Sequence, residues 1–330
     1  MGTTADTGLL HAFLLDGQGG AMRLDWDGVR AWQPADGVLW LNLDYTRADA
    51  QQWLDDESGI DLLMREALLE PDPRPRATPH GEHLLVIARG INQNEGSEPE
   101  DMISVRAWIE PQRIITMRHR VSRSLKALAA AVEKGKGPQT AGGLLVELVE
   151  HIVEHVVARV DKLGDEIAAC EDQVLSTGRG GKLRARVADL RRRAIQLRRY
   201  LAPQREALGK LAQVALPWFH DAHHERVAEA AGRMTRTIEE LDAARDRAAV
   251  THEELAGRLG ELTNTRLYVL SIMTAIFLPL GFVTSLLGVN VGGVPGTSVE
   301  WGFWALCGLF AIGIVIQLLL FRRWRWIGKR

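Results

Sequence analysis

Residues 267–288 read LYVLSIMTAIFLPLGFVTSLLG, 22 residues without a charge, and residues 301–321 read WGFWALCGLFAIGIVIQLLLF, 21 more. As a helix rising 1.5 Å per residue, the first run reaches about 33 Å, enough to cross a hydrocarbon core of about 30 Å. Between Arg266 and Arg322 the only charged residue is Glu300. A buried core hairpin is the competing reading, but soluble domains rarely supply two such runs back to back. Two C-terminal transmembrane helices are therefore expected, anchoring a large soluble N-terminal part in a lipid bilayer. The average composition, 46% hydrophobic and 25% charged with a formal net charge of −2, conceals this split.

Lys and Arg set the orientation. Arg258 and Arg266 precede the first run, Arg322, Arg323, Arg325, Lys329 and Arg330 follow the second, and residues 289–300 contain neither type. Both termini are expected on the cytoplasmic side of the inner (plasma) membrane, with the loop 289–300 outside. Trp301, Trp304, Trp324 and Trp326 fall near the two interfaces, where indole rings are favoured. The first residues lack a basic start and a long apolar stretch, so no signal peptide is expected. Cys170 and Cys307 fall on different sides of this arrangement and form no disulfide framework.

Residues 1–120 read as a mixed α+β domain. Strands are expected at 9–15, 38–43, 83–91, 102–109 and 114–118, from apolar or alternating runs. Short helices are expected at 48–56 and 61–70. Residues 70–81 hold four prolines and read as a loop or edge connector, and 92–101 as a hairpin-type loop. Residues 121–217 carry no strand signal: a helix over 122–134, a Gly-rich break, an acid-rich helix over 144–175, a turn at 176–181 and a basic helix over 182–201. An acidic helix turned back on a basic one suggests an antiparallel hairpin with ion pairs across it. The basic helix has that counter-charge beside it and the chain is not basic overall, so nucleic acid is not an expected partner.

From Asp221 to Leu287 only tolerated glycines and Pro279 interrupt a helix of about 100 Å, whose part over 218–266 forms a stalk. Its soluble half carries an apolar seam at Val227, Ala231, Met234, Ile238, Leu241, Ala248, Leu255, Leu259 and Leu262. Such a seam implies packing against other helices, most simply copies of itself. Two spans cannot enclose a polar path alone, so self-association is expected on functional grounds as well.

At the outer end of the first span stand Gly288, Val289 and Asn290, followed by Val291-Gly292-Gly293-Val294-Pro295-Gly296. Here the chain resembles the CorA-like metal ion transporters. That family has a cytoplasmic α/β domain, a stalk helix entering the membrane, two C-terminal spans, and a Gly-Met-Asn signature ending the first span. Val289 stands where most members have Met, and Gly-Val-Asn followed by Gly-Gly-x-Pro-Gly looks like the zinc transport protein branch. The resemblance implies an α/β/α sandwich in the soluble domain and a homopentameric funnel whose first spans line a central pore. It also implies divalent metal ions, zinc foremost, as the cargo, with no cofactor.

The residue chemistry agrees with that implication. A divalent cation holds its water tightly, so a ring of Asn290 carbonyl oxygens at the mouth would select the hydrated ion through its waters. Gly288 permits a tight bend there; a plain helix cap is the other reading of Asn290. Stepping inward at heptad spacing gives Ser285, Gly281, Leu278, Thr274, Ser271, Leu267 and Asn264, a polar and small face with two bulky apolar positions. Polar residues in a span face a lumen or another helix. Leu278 and Leu267 would act as apolar constrictions. Further inward, Glu239, Asp246 and Glu253 share one stripe and would ring the axis with carboxylates, unless the stripe is simply a solvated face.

Zinc favours His and Cys with carboxylates. His151 and His155 lie one turn apart on the acidic helix, and His220, Asp221, His223 and His224 cluster where the stalk begins. Either group could hold zinc in the soluble domain, although packed or solvated histidines are commoner. There is no Gly-x4-Gly-Lys-Ser/Thr, Gly-x-Ser-x-Gly or His-Glu-x-x-His, so an enzyme is not expected. A two-span sensor would carry a sizeable domain between its spans. The remaining rival is a magnesium or cobalt channel of the same family.

Overall fold

A computed structural model describes residues 7–177, 180–289 and 299–323. The chain divides into two compact units, 1–253 and 254–330.

The first unit is built on a seven-stranded mixed sheet of order β2-β1-β3-β7-β6-β5-β4. Its strands are β1 (Leu9–Leu15), β2 (Ala21–Leu24), β3 (Leu39–Asp44), β4 (Arg76–His80), β5 (His83–Gly90), β6 (Ile103–Ile109) and β7 (Arg113–Arg118). All neighbours are antiparallel except β3 and β7, which run parallel with Leu39 opposite Arg113 and Asp44 opposite Arg118. Alternation along the strands divides the side chains between two faces. One face carries Leu39, Leu41, Leu43, Leu85, Ile87, Trp108, Ile115 and Met117 into a core closed by Trp53 and Leu54 of α2 (Ala48–Asp56) and Met64 and Leu68 of α3 (Leu62–Leu69). Asp61 caps α3 by accepting from the Met64 N–H at 3.1 Å. On the other face Trp40 Nε1 donates to Thr116 Oγ1 at 3.0 Å, and that hydroxyl donates to the Leu41 carbonyl at 3.0 Å.

The expected strands at 9–15, 38–43, 83–91, 102–109 and 114–118 are present to within a residue. Two edge strands and α1 (Trp26–Ala31) were not anticipated. β4 lies in the proline-rich 70–81 segment, and it tolerates Pro79 because it is an edge strand that pairs on one side only, with β5.

Beyond the sheet follow α4 (Arg123–Glu133), capped by Ser122, then α5 (Ala141–Thr177), α6 (Gly180–Leu211) and α7 (Asp221–Leu287). The expected boundary near residue 120 does not separate compact units, because α5 and α6 pack on β4 and β5. Arg159 of α5, itself buried, grips buried Glu100 in the approach to β6, with Nε at 2.9 Å.

Two expectations need correction here. The acidic and basic helices do pack together, but among the described residues no ion pair joins them across the hairpin, and one charge of each reaches α7 instead. Arg226 of α7 binds Glu150 of α5 at 2.6 Å, and Arg198 of α6 binds Asp242 of α7 at 2.6 Å. The seam of α7 is also used within the chain. Val227, Met234, Ile238, Leu241, Ala248 and Leu255 are all buried. Contacts that rise in step along α5 and α7 (Glu150 with Arg226, Glu171 with Thr251) and run opposite along α6 (Arg198 with Asp242, Arg184 with His252) show which helices cover it. Its periodicity reports burial and not the identity of the partner, so over this stretch it is no argument for self-association.

In the second unit, α7 continues to Leu287 and α8 spans Gly302–Arg323. The apolar part of α7 is long enough to cross a membrane and none of that window is buried; Gly302–Gln317 is a shorter apolar helix. Such a length and composition are consistent with the expected membrane span. Pro279 has no N–H, which frees the carbonyl of Ala275 four residues earlier. Gln317 of α8 supplies the missing donor, its Nε2 lying 3.4 Å from that oxygen.

Candidate functional site

The expected pore face lies on one exposed side of α7. Asn264, Leu267, Ser271, Thr274, Leu278, Gly281 and Ser285 are all exposed, and Ser271, Thr274 and Leu278 line one shallow groove of about 470 Å³. Ile272, Ile276, Leu280 and Val283 are half-buried on the side that meets α8, whereas Phe277 and Phe282 are exposed. Within this unit, α8 thus covers an apolar side of α7 and leaves the polar and small stripe bare.

Hydrogen bonding sets what the stripe can offer. Thr274 Oγ1 donates to the Leu270 carbonyl at 2.9 Å, so its proton is spent on its own helix and its lone pairs face outward as acceptors. Thr284, off the stripe, bonds Leu280 in the same way at 2.9 Å. An outward acceptor at Thr274 suits a cation or the waters around it. Leu278, the position expected to form an apolar constriction, is 69% exposed on this stripe.

Gly288 and Val289 follow the last turn of α7, and the Gly288 N–H closes on the Thr284 carbonyl at 2.9 Å. Asn290, on which the mouth depends, lies outside the described residues, as do Val291–Pro295 of the Gly-rich stretch.

Glu239, Asp246 and Glu253 are exposed on the side of α7 opposite the buried seam. Asp246 is held by Arg245 at 2.8 Å, which partly neutralises it. Among the described residues Glu239 and Glu253 make no ion pair. The stripe is therefore available to another copy or to solvent.

The histidines are occupied by local structure. His155 Nδ1 lies 3.2 Å from Ser124 Oγ of α4, and burial holds its pKa below the ordinary value. His151 reaches only Glu154, at 3.9 Å. His223 Nδ1 accepts from the His220 backbone N–H at 3.2 Å, while His224 Nδ1 contacts the Ala212 carbonyl at 3.0 Å. Phe219 packs on both rings, and Asp221 opens α7. Among the described residues no three His, Cys, Asp or Glu side chains stand together so as to hold a metal ion, and both clusters have the packed character that is commoner for histidines. Gln317 was missed in the sequence. The signal was present: it is the one amide in the second apolar run, and Pro279 guarantees a free carbonyl in the first.

The sequence profile of the CorA-like Mg2+ transporter protein family matches residues 35–323. The chain is 38% identical over 325 residues to the divalent cation transporter CmaX of Pseudomonas aeruginosa, covering 98% of each. It is 32% identical over 320 residues to the zinc transport protein ZntB of Yersinia enterocolitica, covering 96% of each. Among solved structures, full-length CmaX superposes with a TM-score of 0.86 at 37% identity, over 98% of this chain and 100% of that one. The CorA magnesium transporter of Methanocaldococcus jannaschii, at 19% identity and a TM-score of 0.79 over 96% of this chain and 98% of that one, shares the fold.

Proposed function

The chain belongs to the CorA-like Mg2+ transporter family, a family of divalent cation transporters, and on that premise we propose that it carries zinc across the inner membrane through the central pore of a homopentamer. The observation that carries this reading is the bare polar stripe of α7: an apolar helix leaves Ser271, Thr274 and Ser285 uncovered by its own chain. A polar stripe facing lipid is costly, and copies assembled about an axis would turn it inward. The stripe then becomes a column of acceptors, interrupted at Leu278 and Leu267. Asn290 closes the column at the outer mouth as a ring of side-chain carbonyls. On the cytoplasmic side Glu253, Asp246 and Glu239 extend the path with negative charge, which raises the local cation concentration.

Zinc is favoured over magnesium and cobalt by the Gly-Val-Asn sequence at 288–290 and by the similarity to zinc transport proteins of Yersinia. The positive-inside bias places both termini in the cytoplasm and residues 289–300 outside. No resident cofactor takes part; zinc is cargo. Neither apolar run contains an Asp, Glu or His that could relay protons.

Purified protein in liposomes, with zinc, magnesium and cobalt compared under one gradient, tests the proposal. Saturable zinc flux exceeding that of the other two ions supports it. Magnesium flux without zinc flux would make the protein a magnesium channel instead.

A further inference from the structure

The sheet face that carries the aliphatic core ends in arginines. β5 and β6 pair Ile87 with Arg106 and Arg89 with Ser104, so Arg89 and Arg106 are diagonal neighbours on that face. A cavity of about 360 Å³ lies against them, its walls also including Tyr45, Ser104, Arg120 and Tyr200, with Arg106 behind its surface. Tyr45 follows β3 and Arg120 follows β7, so the cavity lies beyond the C-terminal ends of the one parallel pair, a common place for ligands in sheets with parallel strands. The volume is within the range of small-molecule sites, about 300–1,000 Å³.

Arg106 is 0% exposed, yet none of its partners is a carboxylate. Its Nε donates to Ser104 Oγ at 3.1 Å, its Nη1 to the Leu68 carbonyl, and its guanidinium lies 4.3 Å from the centre of the Tyr45 ring. Glu70, whose field reaches it, is bound to Arg76 at 3.3 Å. Burying a guanidinium without a counter-charge is expensive, and an arginine remains protonated even when burial lowers its pKa, as it does here. Arg89, also buried, binds Asp72 and the Pro73 and Met102 carbonyls, but its Nε is buried with no hydrogen-bond partner. At the rim Arg120 pairs with Asp101 at 2.9 Å. Three guanidiniums face two carboxylates, Asp72 and Asp101, both largely exposed, which leaves the cavity net positive and its most buried cation uncompensated.

We propose that this cavity binds an oxyanion of the phosphate class, either inorganic phosphate or the phosphoryl group of a small metabolite. A tetrahedral oxyanion supplies several strong acceptors to guanidinium forks at once and the charge that Arg106 lacks. The tyrosine rings do not offer a free stacking platform. Arg106 sits on Tyr45, and Arg89 and Arg199 lie 4.6 and 5.4 Å from Tyr200, so recognition is of the charged group. The site is separate from the ion pathway and does not depend on which cation is carried.

Titration calorimetry on the full-length protein in detergent, at constant ionic strength in chloride, tests this with sodium phosphate in one arm and ADP in the other. Saturable binding near one site per chain in either arm supports the proposal, and the arm that responds identifies the source of the phosphate. Arg106→Met should weaken binding by about tenfold or more and Arg120→Gln by several-fold. Absence of saturable binding in both arms overturns the proposal, as does affinity unchanged in both variants. If Arg106→Met does not fold, half-exposed Arg120 decides: unchanged affinity in Arg120→Gln overturns it.

Discussion

One helix, α7, spends its two halves in different ways. From Val227 to Ala248 it hides an apolar stripe against α5 and α6 of its own chain, and Glu239 and Asp246 face outward. From Leu267 to Leu287 the polarity is reversed: large apolar side chains such as Phe277, Phe282 and Leu286 are bare, and one bare stripe carries the serines and Thr274. The first half meets its packing requirement within the chain. The second half meets little of it there, as the proposed membrane span and assembly would require. On the proposed reading, the seam governs whether the first unit folds, and the bare half governs assembly and flux.

Substitutions that affect one property and spare the other sharpen this contrast. The largest effect is expected at the mouth. Asn290→Ala should bring zinc flux in liposomes close to background while the oligomer still assembles, because a whole ring loses acceptors worth about 1 kcal/mol each. Wild-type flux in that variant would make Asn290 a helix cap only. Next comes the seam. Leu241→Ala should lower the unfolding free energy of the soluble part by about 2–5 kcal/mol. Leu270→Ala, at a bare position, should leave it unchanged. Similar losses from both would erase the distinction between the halves.

Acid should weaken the soluble half alone. Burial, reinforced by the charges of Arg23 and Arg118, lowers His11 from 6.5 to about 3. Between those values the unfolded chain binds a proton that the folded chain refuses. Stability from this source is complete above about pH 6.5 and falls by about 1.4 kcal/mol per pH unit as acid approaches pH 3. His11→Phe, beside Phe13 and Trp40 with ring centres 4.8 and 4.7 Å away, should flatten that slope in pH-dependent denaturant titrations. A slope identical to wild type would assign the acid sensitivity elsewhere. The smallest effect is expected along the carboxylate stripe. Glu253→Gln should reduce zinc flux more than Glu239→Gln, with Asp246→Asn between them, because Glu253 is nearest the membrane and Arg245 already blunts Asp246. Equal flux in all three would make the stripe a solvated face.

The central strands were legible because a buried strand is a run of β-branched and aromatic residues: HLLVIARG and RIITMR announce themselves. The edges were not. β4, RATPH, pairs on one side only and needs neither an apolar face nor the N–H of Pro79. The starts of α3 and α4 were legible to within a residue, since Asp61 and Ser122 cap them through local hydrogen bonds. Partner choice is not local. A heptad seam looks the same whether it faces a copy or the same chain, and an acidic helix beside a basic one does not say that Arg226 and Asp242 of α7 will take the charges. The polar stripe of α7 was legible for the same reason the seam was, as periodicity. The histidine pairs left two readings open because spacing places two rings together without showing whether a third ligand arrives.

The most direct test of the pore face is thiol accessibility in a Cys307→Ser background, with Cys170 left buried. Thr274→Cys and Phe282→Cys would each be reconstituted and treated with a small, charged, thiol-reactive reagent during zinc flux. Thr274→Cys should be blocked within the reaction time, because every copy places that thiol in the ion path, while Phe282→Cys should continue to conduct. Block at Phe282 with Thr274 unaffected would place the polar stripe away from the pore and contradict the account.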